Sequence, residues 1–275
     1  MDAERTYAAL LDRLKATGGV AVAFSGGVDS SLLLKAARDA LRDRVVAVIV
    51  RSCAFPVEEE ADAIALAQTL GVRVRVVGAR DAVPPSWRTN PPDRCYHCKL
   101  DLLAQVRAVA VEEGLPAVAE GSGADDVGRY RPGLRAVAES GAIQPLLEVG
   151  LDKAGIRHLA HLHGLPVWNR PSWACLATRF PYGEPITLER LARVERAERG
   201  VRALGLGLVR VRDHGALARL EVASEDLARF ADPELRKQVV AVLKIQGYTW
   251  SCLDLEGYRE GAMDEALPGG HPRTG

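Results

Sequence analysis

Apolar positions along this chain switch between helical spacing and short unbroken runs. Tyr7, Leu10, Leu11 and Leu14 recur three to four residues apart, and Gly18-Gly19 end that pattern. Val20 to Phe24 then reads as a buried strand, followed by a polar loop and by Leu32, Leu33, Leu34 and Ala36, which open a helix reaching about Leu41. Val45 to Val50 predicts a second strand, Glu58 to Leu70 a helix closed by Gly71, and Val72 to Val77 a third strand. A helix over Lys99 to Glu113 and a strand over Pro116 to Glu120 continue the alternation, and Asp152 caps a helix reaching about His163. Unbroken apolar strands separated by helices predict an α/β fold, a doubly wound parallel sheet covered on both faces.

Two segments interrupt the rhythm. Val83 to Cys98 carries Pro84, Pro85, Pro91 and Pro92 and reads as a long loop, as does Asn169 to Gly183. After the second come a helix (Leu188 to Leu204), strands (Leu208 to Arg212 and Leu217 to Val222), a helix (Pro233 to Gln246) and a strand (Tyr248 to Leu255), a smaller α+β domain. The expected division is therefore 1–170, 171–261 and a disordered tail over 262–275, whose end is mostly Gly, Pro and polar.

The 275 residues contain 48% apolar and 26% charged side chains, which excludes a collagen-like or disordered chain. Thirty-six basic residues balance 36 acidic ones, so the net charge calls for neither a nucleic-acid nor a membrane partner. There is no charged-then-apolar leader and no apolar run of about 18 residues, so a cytoplasmic chain is expected. Thiols stay reduced in that compartment, and the five cysteines are then read for metal or chemistry before disulfides.

Ser25-Gly26-Gly27-Val28-Asp29-Ser30-Ser31 sits between the first strand and its helix. A glycine pair there lets the backbone turn several N–H groups onto one anion, and the helix adds its positive end. Ser25, Ser30 and Ser31 add hydroxyl donors, and Asp29 can hold the magnesium that accompanies a polyphosphate. A serine-capped turn is the plain structural alternative. The segment lacks the lysine of a Walker loop and the spacing of a dinucleotide fingerprint. It resembles the SGGxDS signature of the PP-loop ATP pyrophosphatases, which cleave ATP between its α and β phosphates and leave an adenylated substrate. That resemblance implies the adenine nucleotide alpha hydrolase-like form of the doubly wound sheet, with ATP and Mg²⁺ bound.

Cys95 and Cys98 form a CxxC, and Cys175 lies alone in the Pro171 to Gly183 segment. By spacing alone a CxxC is half a zinc site, a redox pair or part of an iron–sulfur site. Cys53 and Cys252 stand in apolar strand contexts and read as small core residues. Arg210 and Arg212 alternate on a strand and face one side. Asp125 and Asp126 either position a nucleotide or metal or simply cap their loop, and His158, His161 and His163 read as surface residues.

Together, the phosphate loop, Gly123-Ala124-Asp125-Asp126, Tyr130 to Arg135 and the Cys175 to Gly183 loop resemble the LarE family over about Val20 to Gly261. In that family a pyridinium biscarboxylate mononucleotide is adenylated and its carboxylates become thiocarboxylates, towards a nickel-pincer cofactor. The resemblance implies Arg210, Arg212, Glu198 and Glu221 at the substrate, and Arg179 beside the sulfur donor, steadying the adenylate phosphate. It also implies Cys95, Cys98 and Cys175 as ligands of a [4Fe-4S] cluster carrying sulfide, or Cys175 as a consumed sulfur donor. A sulfide source and a homo-oligomer are implied as well; Trp87 and His97 receive no role. Three other readings share parts of this pattern: a PP-loop tRNA thiolase, an ammonia-using synthetase, and a nucleotide-binding regulatory protein without turnover.

Overall fold

The computed structural model describes residues 3–127, 132–170 and 175–267, with the side chain of Val57 left aside. The chain divides into two units, residues 1–80 with 93–173, and residues 81–92 with 174–275.

In the first unit, α1 (Ala3–Lys15) leads into β1 (Val20–Ala23), α2 (Val28–Leu41), β2 (Val45–Arg51), α3 (Val57–Thr69) and β3 (Arg73–Gly78). Then follow α4 (Arg94–Glu112), β4 (Ala117–Ala119), α5 (Pro132–Ser140), α6 (Pro145–Glu148) and α7 (Lys153–Leu162). The four strands are parallel in the order β3-β2-β1-β4, with Val20 level with both Val45 and Ala117. Alternate strand residues feed two cores. Val20, Val22, Val45, Ala47 and Ile49 pack with α1, α2, α3 and α7, whereas Ala21, Val46 and Val48 pack under Leu103, Val106 and Val109 of α4. Strand order reverses beside β1, and in such sheets the crevice beyond the carboxyl ends at that reversal receives ligands.

In the second unit, α8 (Leu188–Arg202), β5 (Val209–His214), β6 (Leu217–Val222), α9 (Pro233–Ile245) and β7 (Trp250–Leu253) form a three-stranded mixed sheet, β5 antiparallel and β7 parallel to β6. Val209, Val211, Leu220 and Val222 face a core with Ala197 and Val201 of α8 and Leu235, Val239 and Leu243 of α9. The two helices cross closely at Gly200, where a Cβ would lie 2.7 Å from Val242 Cγ1.

The α/β reading with its parallel sheet and separate smaller domain stands. Several boundaries differ. The CxxC lies in the first turns of a helix and not in a loop, because Pro91-Pro92 precede α4 and leave its hydrogen bonds intact. Residues 81–92 group with the second unit: Trp87 is 1% exposed, its carbonyl accepts from Ile186 N, and Asn90 Nδ2 donates to Pro181 O at 2.7 Å. The last strand is shorter than 248–255, and 262–266, expected within a disordered tail, form a 3₁₀ turn, with Tyr182 Oη donating to Asp264 Oδ1 at 2.8 Å. Tyr130, Arg131, Pro171 to Ala174 and the tail from 268 lie outside the described residues. Among the described residues no helix is long and apolar enough to cross a membrane.

Candidate functional site

The turn after β1 is built by its own hydroxyls. Gly26 takes the left-handed conformation (φ 75°), which only glycine adopts without strain, and a Cβ there would lie 2.9 Å from Ala63 Cβ. Ser30 Oγ lies 3.1 Å from Ser25 Oγ, receives Ser25 N at 3.3 Å and donates to Gly27 O at 3.2 Å. Ser31 Oγ is buried without a hydrogen-bond partner among the described residues, an orphan polar atom at the start of a 14-residue helix. An anion held by the loop and the positive end of α2 would satisfy it. The segment leaving β4 closes over this turn: a Cβ on Gly121 would lie 3.1 Å from Ser30 N.

Asp29 is held by a residue that the sequence did not single out. Lys153 Nζ donates to Asp29 Oδ1 at 2.7 Å and Oδ2 at 2.6 Å. Lys153 is fixed in turn, its backbone N donating to Asp125 Oδ2 at 2.6 Å at the start of α7, which Asp152 caps. Asp126 Oδ2 accepts from Gly123 N at 3.0 Å. Both loop aspartates thus make backbone-capping bonds here. The ammonium also bears on metal binding, since it already neutralises the Asp29 carboxylate, the group a cation would need.

Glu120 closes β4. It is 3% exposed, accepts from Lys99 Nζ at 3.0 Å, Gln144 Nε2 at 3.0 Å and Ser122 N at 3.1 Å, and is held below the usual carboxylate range by Lys99 and these bonds against the opposing effect of burial. Lys99 follows the CxxC directly, so cysteines and ammonium share one helix start. Cys95 is exposed, while burial, then Cys95 and Asp101, push the Cys98 thiol up to about 11. Two thiols a turn apart on α4 suit two corners of a cluster. Among the described residues no group of three His, Cys, Asp or Glu side chains is close enough to hold a metal. His97 is exposed, 3.4 Å from Asp93 Oδ2.

Cys175, in the second unit, precedes a 3₁₀ turn over Leu176–Arg179, and its carbonyl accepts from Thr178 N at 2.9 Å, Thr178 Oγ1 at 2.8 Å and Arg179 Nη1 at 3.4 Å. Arg179 is 2% exposed. Its Nε donates to Glu198 Oε1 at 2.7 Å and its Nη2 to Glu198 Oε2 at 3.2 Å. The same carboxylate accepts from Val211 N at 3.0 Å, capping the free edge of β5. Arg210 and Arg212 share a sheet face as expected, but both are buried. Arg212 makes a fork with Glu221 at 2.9 and 2.6 Å, and Arg219 reaches the same glutamate at 3.2 Å. Arg210 Cζ lies 5.3 Å from the Tyr258 ring centroid, and burial together with Arg179 holds this guanidinium below its ordinary value, against Glu198 and Tyr258. Among the described residues, Glu198 thus faces Arg179, Arg202 and Arg210, and Glu221 faces Arg212 and Arg219, the latter also paired with Asp254.

Residues 5–104 match the NAD synthase family. An uncharacterized Synechocystis protein is 39% identical over 246 residues, covering 90% of this chain and 92% of its own. The LarE pyridinium-3,5-bisthiocarboxylic acid mononucleotide synthase of Lactiplantibacillus plantarum is 37% identical over 261 residues, 94% of each chain. The chain belongs to the LarE family. An uncharacterized Methanocaldococcus jannaschii protein is 27% identical over 243 residues, 87% of this chain and 90% of its own.

Several expectations for this LarE-family chain change at residue level. Cys252 is exposed on β7 opposite Arg219, and Cys53 is half-buried in the turn after β2, so neither is a core residue. Trp87 is a buried anchor of the second unit, its Nε1 without a partner among the described residues. His163 stacks on Tyr7 at 3.9 Å, and His158 and His161 are exposed. Lys99, Glu120 and Lys153 escaped the sequence reading. Their signals were modest: a lysine after a CxxC, a carboxylate ending an apolar strand, and a lysine following a helix cap.

Proposed function

We propose that this chain is an ATP-dependent sulfurtransferase acting on pyridinium-3,5-biscarboxylic acid mononucleotide, converting its carboxylates to thiocarboxylates for a nickel-pincer cofactor. The observation that carries the reading is the Ser25–Ser31 turn, with its left-handed Gly26, orphan Ser31 hydroxyl and Lys153–Asp29 pair at the carboxyl end of β1. A substrate carboxylate oxygen attacks the α-phosphorus of ATP, and pyrophosphate leaves towards the turn, where Ser25, Gly26, Gly27, Ser30 and Ser31 offer donors. Lys153 exchanges Asp29 for a phosphate oxygen; Asp29 would then hold magnesium, which would supply positive charge beside the pyrophosphate. Asp125 and Asp126 hold the loop that positions Lys153. Sulfur then attacks the acyl carbon and AMP departs, carrying away the oxygen that sulfur replaces.

The guanidiniums of Arg210 and Arg212, gathered on one sheet face, suit the substrate's dianionic phosphate, with Glu198 and Glu221 orienting them. Arg179 acts at one remove, fixing the Cys175 turn by its bond to the Cys175 carbonyl. Cys95, Cys98 and Cys175 carry the sulfur. As ligands of a [4Fe-4S] cluster they would leave a fourth iron open for an exchangeable sulfide; the alternative is consumption of Cys175 itself. The chain works in the cytoplasm as a homo-oligomer fed by a sulfide source.

The test is anaerobic turnover with ATP and the mononucleotide, following pyrophosphate, thiocarboxylate, iron, acid-labile sulfide and intact protein mass. Pyrophosphate release with thiocarboxylate formation is expected, with Cys175→Ala adenylating normally yet inserting no sulfur. Iron and sulfide with unchanged mass fit the cluster, and loss of one sulfur per chain without iron fits sacrifice. Nucleotide binding without pyrophosphate release would overturn the reading.

A further inference from the structure

The second unit contains a cavity of about 320 Å³ that the proposed chemistry leaves unused, lined by Glu184, Glu189, Arg190, Arg193 and Gly215. Its volume is at the small end of the range for small-molecule sites. Asp213, fully buried, holds its two guanidiniums in place. Arg190 Nη2 donates to Asp213 Oδ1 at 2.8 Å and Arg193 Nε to Asp213 Oδ2 at 3.0 Å, while Gly215 N and Tyr248 Oη donate to the same carboxylate at 2.9 and 3.1 Å. Arg193 Cζ also lies 4.3 Å from the Tyr248 ring centroid, and Arg190 Cζ 4.9 Å from that of Phe180. Two long side chains that a ligand would otherwise have to order are therefore ordered in advance.

Both signs of charge remain available in this cavity. Arg193 engages Asp213 through Nε and Nη2, and Nη2 also donates to Gly215 O at 3.1 Å, but Nη1 donates to nothing among the described residues. Glu184 is tied to Arg190 at 2.7 Å, whereas the exposed Glu189 carboxylate makes no ion pair or hydrogen bond among the described residues. Glu189 and Arg193 are four positions apart on α8, so they share a face with Cβ atoms about 5–6 Å apart. That order favours a direct pair, yet Asp213 draws the guanidinium away and leaves the carboxylate open. An inorganic anion entering here would meet Glu184 and Glu189, and a bare metal ion would meet Arg190 and Arg193; a molecule carrying both charges satisfies both halves. We propose that this cavity binds a free α-amino acid, its carboxylate on Arg193 Nη1 and its ammonium on Glu189. The two charges on one carbon lie close enough together to bridge residues a single helical turn apart, and the side chain takes the remaining volume. Within a peptide both charges are lost to amide bonds, so the free amino acid is the form selected. The proposal is independent of the reading of the phosphate turn.

The test surveys the full chain, without nucleotide, by saturation-transfer NMR against each standard amino acid at about 10 mM. The strongest binder is then titrated by calorimetry beside its N-acetyl and amide derivatives, each of which lacks one of the two charges. The free amino acid should bind, and each derivative should bind at least about tenfold more weakly. Glu189→Gln, a change at an exposed side chain, should weaken the free amino acid at least about tenfold and bring it level with the N-acetyl form. Arg193→Met should likewise bring it level with the amide; because Arg193 also braces Asp213 and Tyr248, Glu189→Gln is the variant that decides. No binding by any amino acid, equal affinity for free and blocked forms, or wild-type affinity in Glu189→Gln overturns the proposal. Amino-acid binding by a chain that releases no pyrophosphate supports this site and defeats the functional reading instead.

Discussion

Replacing Glu198 by glutamine removes one charge and almost no volume, which isolates the electrostatic role of the most heavily shared carboxylate in the second unit. Glu198 is 2% exposed and accepts from Arg179 twice, from Arg202 at 3.3 Å and from the Val211 amide. Despite burial it is held below the usual carboxylate range, by Arg179 first and then by Arg210 and Val211 N. An exposed pair would be worth about 0–1 kcal/mol. A buried carboxylate removed from beneath guanidiniums leaves them uncompensated in low dielectric, at a cost of about 3–5 kcal/mol. Because the chain has two units, hydrogen exchange read peptide by peptide is the proper assay. Amides of β5 and β6 should exchange roughly 150- to 4,000-fold faster in Glu198→Gln, with the parallel sheet unchanged. Adding Arg210→Met removes one of the guanidiniums that act on Glu198, so the double variant should lose less than the sum of the singles. The pH sign follows from the depressed folded value: this carboxylate's contribution is present above its unfolded pKa and lost as pH falls through the folded one, so the variant's acid limb should flatten. Unchanged β5 and β6 protection, or strict additivity with Arg210→Met, would refute the argument.

At the phosphate turn, Gly26→Ala places a Cβ 2.9 Å from Ala63 Cβ at φ 75°, so ATP-dependent pyrophosphate release should fall at least about tenfold while circular dichroism is kept; normal release would show that the left-handed turn is dispensable. Lys153→Met should lower pyrophosphate release about a hundredfold, as expected for one lost charged hydrogen bond, and an unchanged rate would remove Lys153 from the chemistry. Alkylation of Cys98, followed by tandem mass spectrometry, should accelerate about tenfold per pH unit up to about 11, and a plateau near 8.5 would contradict its apolar setting.

What the sequence disclosed was what is local. Val20 to Phe24 and Val45 to Val50 read as buried strands because a parallel sheet covered on both faces has no polar side to encode, and the serine-glycine turn carries its geometry within seven consecutive residues. Local rules also explain the misreadings. Prolines that seemed to prolong a loop stand just ahead of α4, and Pro132, read within a motif, opens α5 instead.

The long-range pairs are a different matter, and they decide the site. Asp29 is answered by a lysine 124 positions away, and Arg212 by a glutamate on the neighbouring strand whose register no single-strand pattern specifies. A net charge of zero describes the whole chain, so it argues against a broad basic surface while leaving a local anion site open. Once β5 and β6 align, the alternation that put Arg210 and Arg212 on one face also puts Arg219 and Glu221 opposite them, and a local gathering of guanidiniums appears. Neutrality of the whole chain and a local gathering of guanidiniums are therefore compatible, because folding and strand register decide which charges share one sheet face.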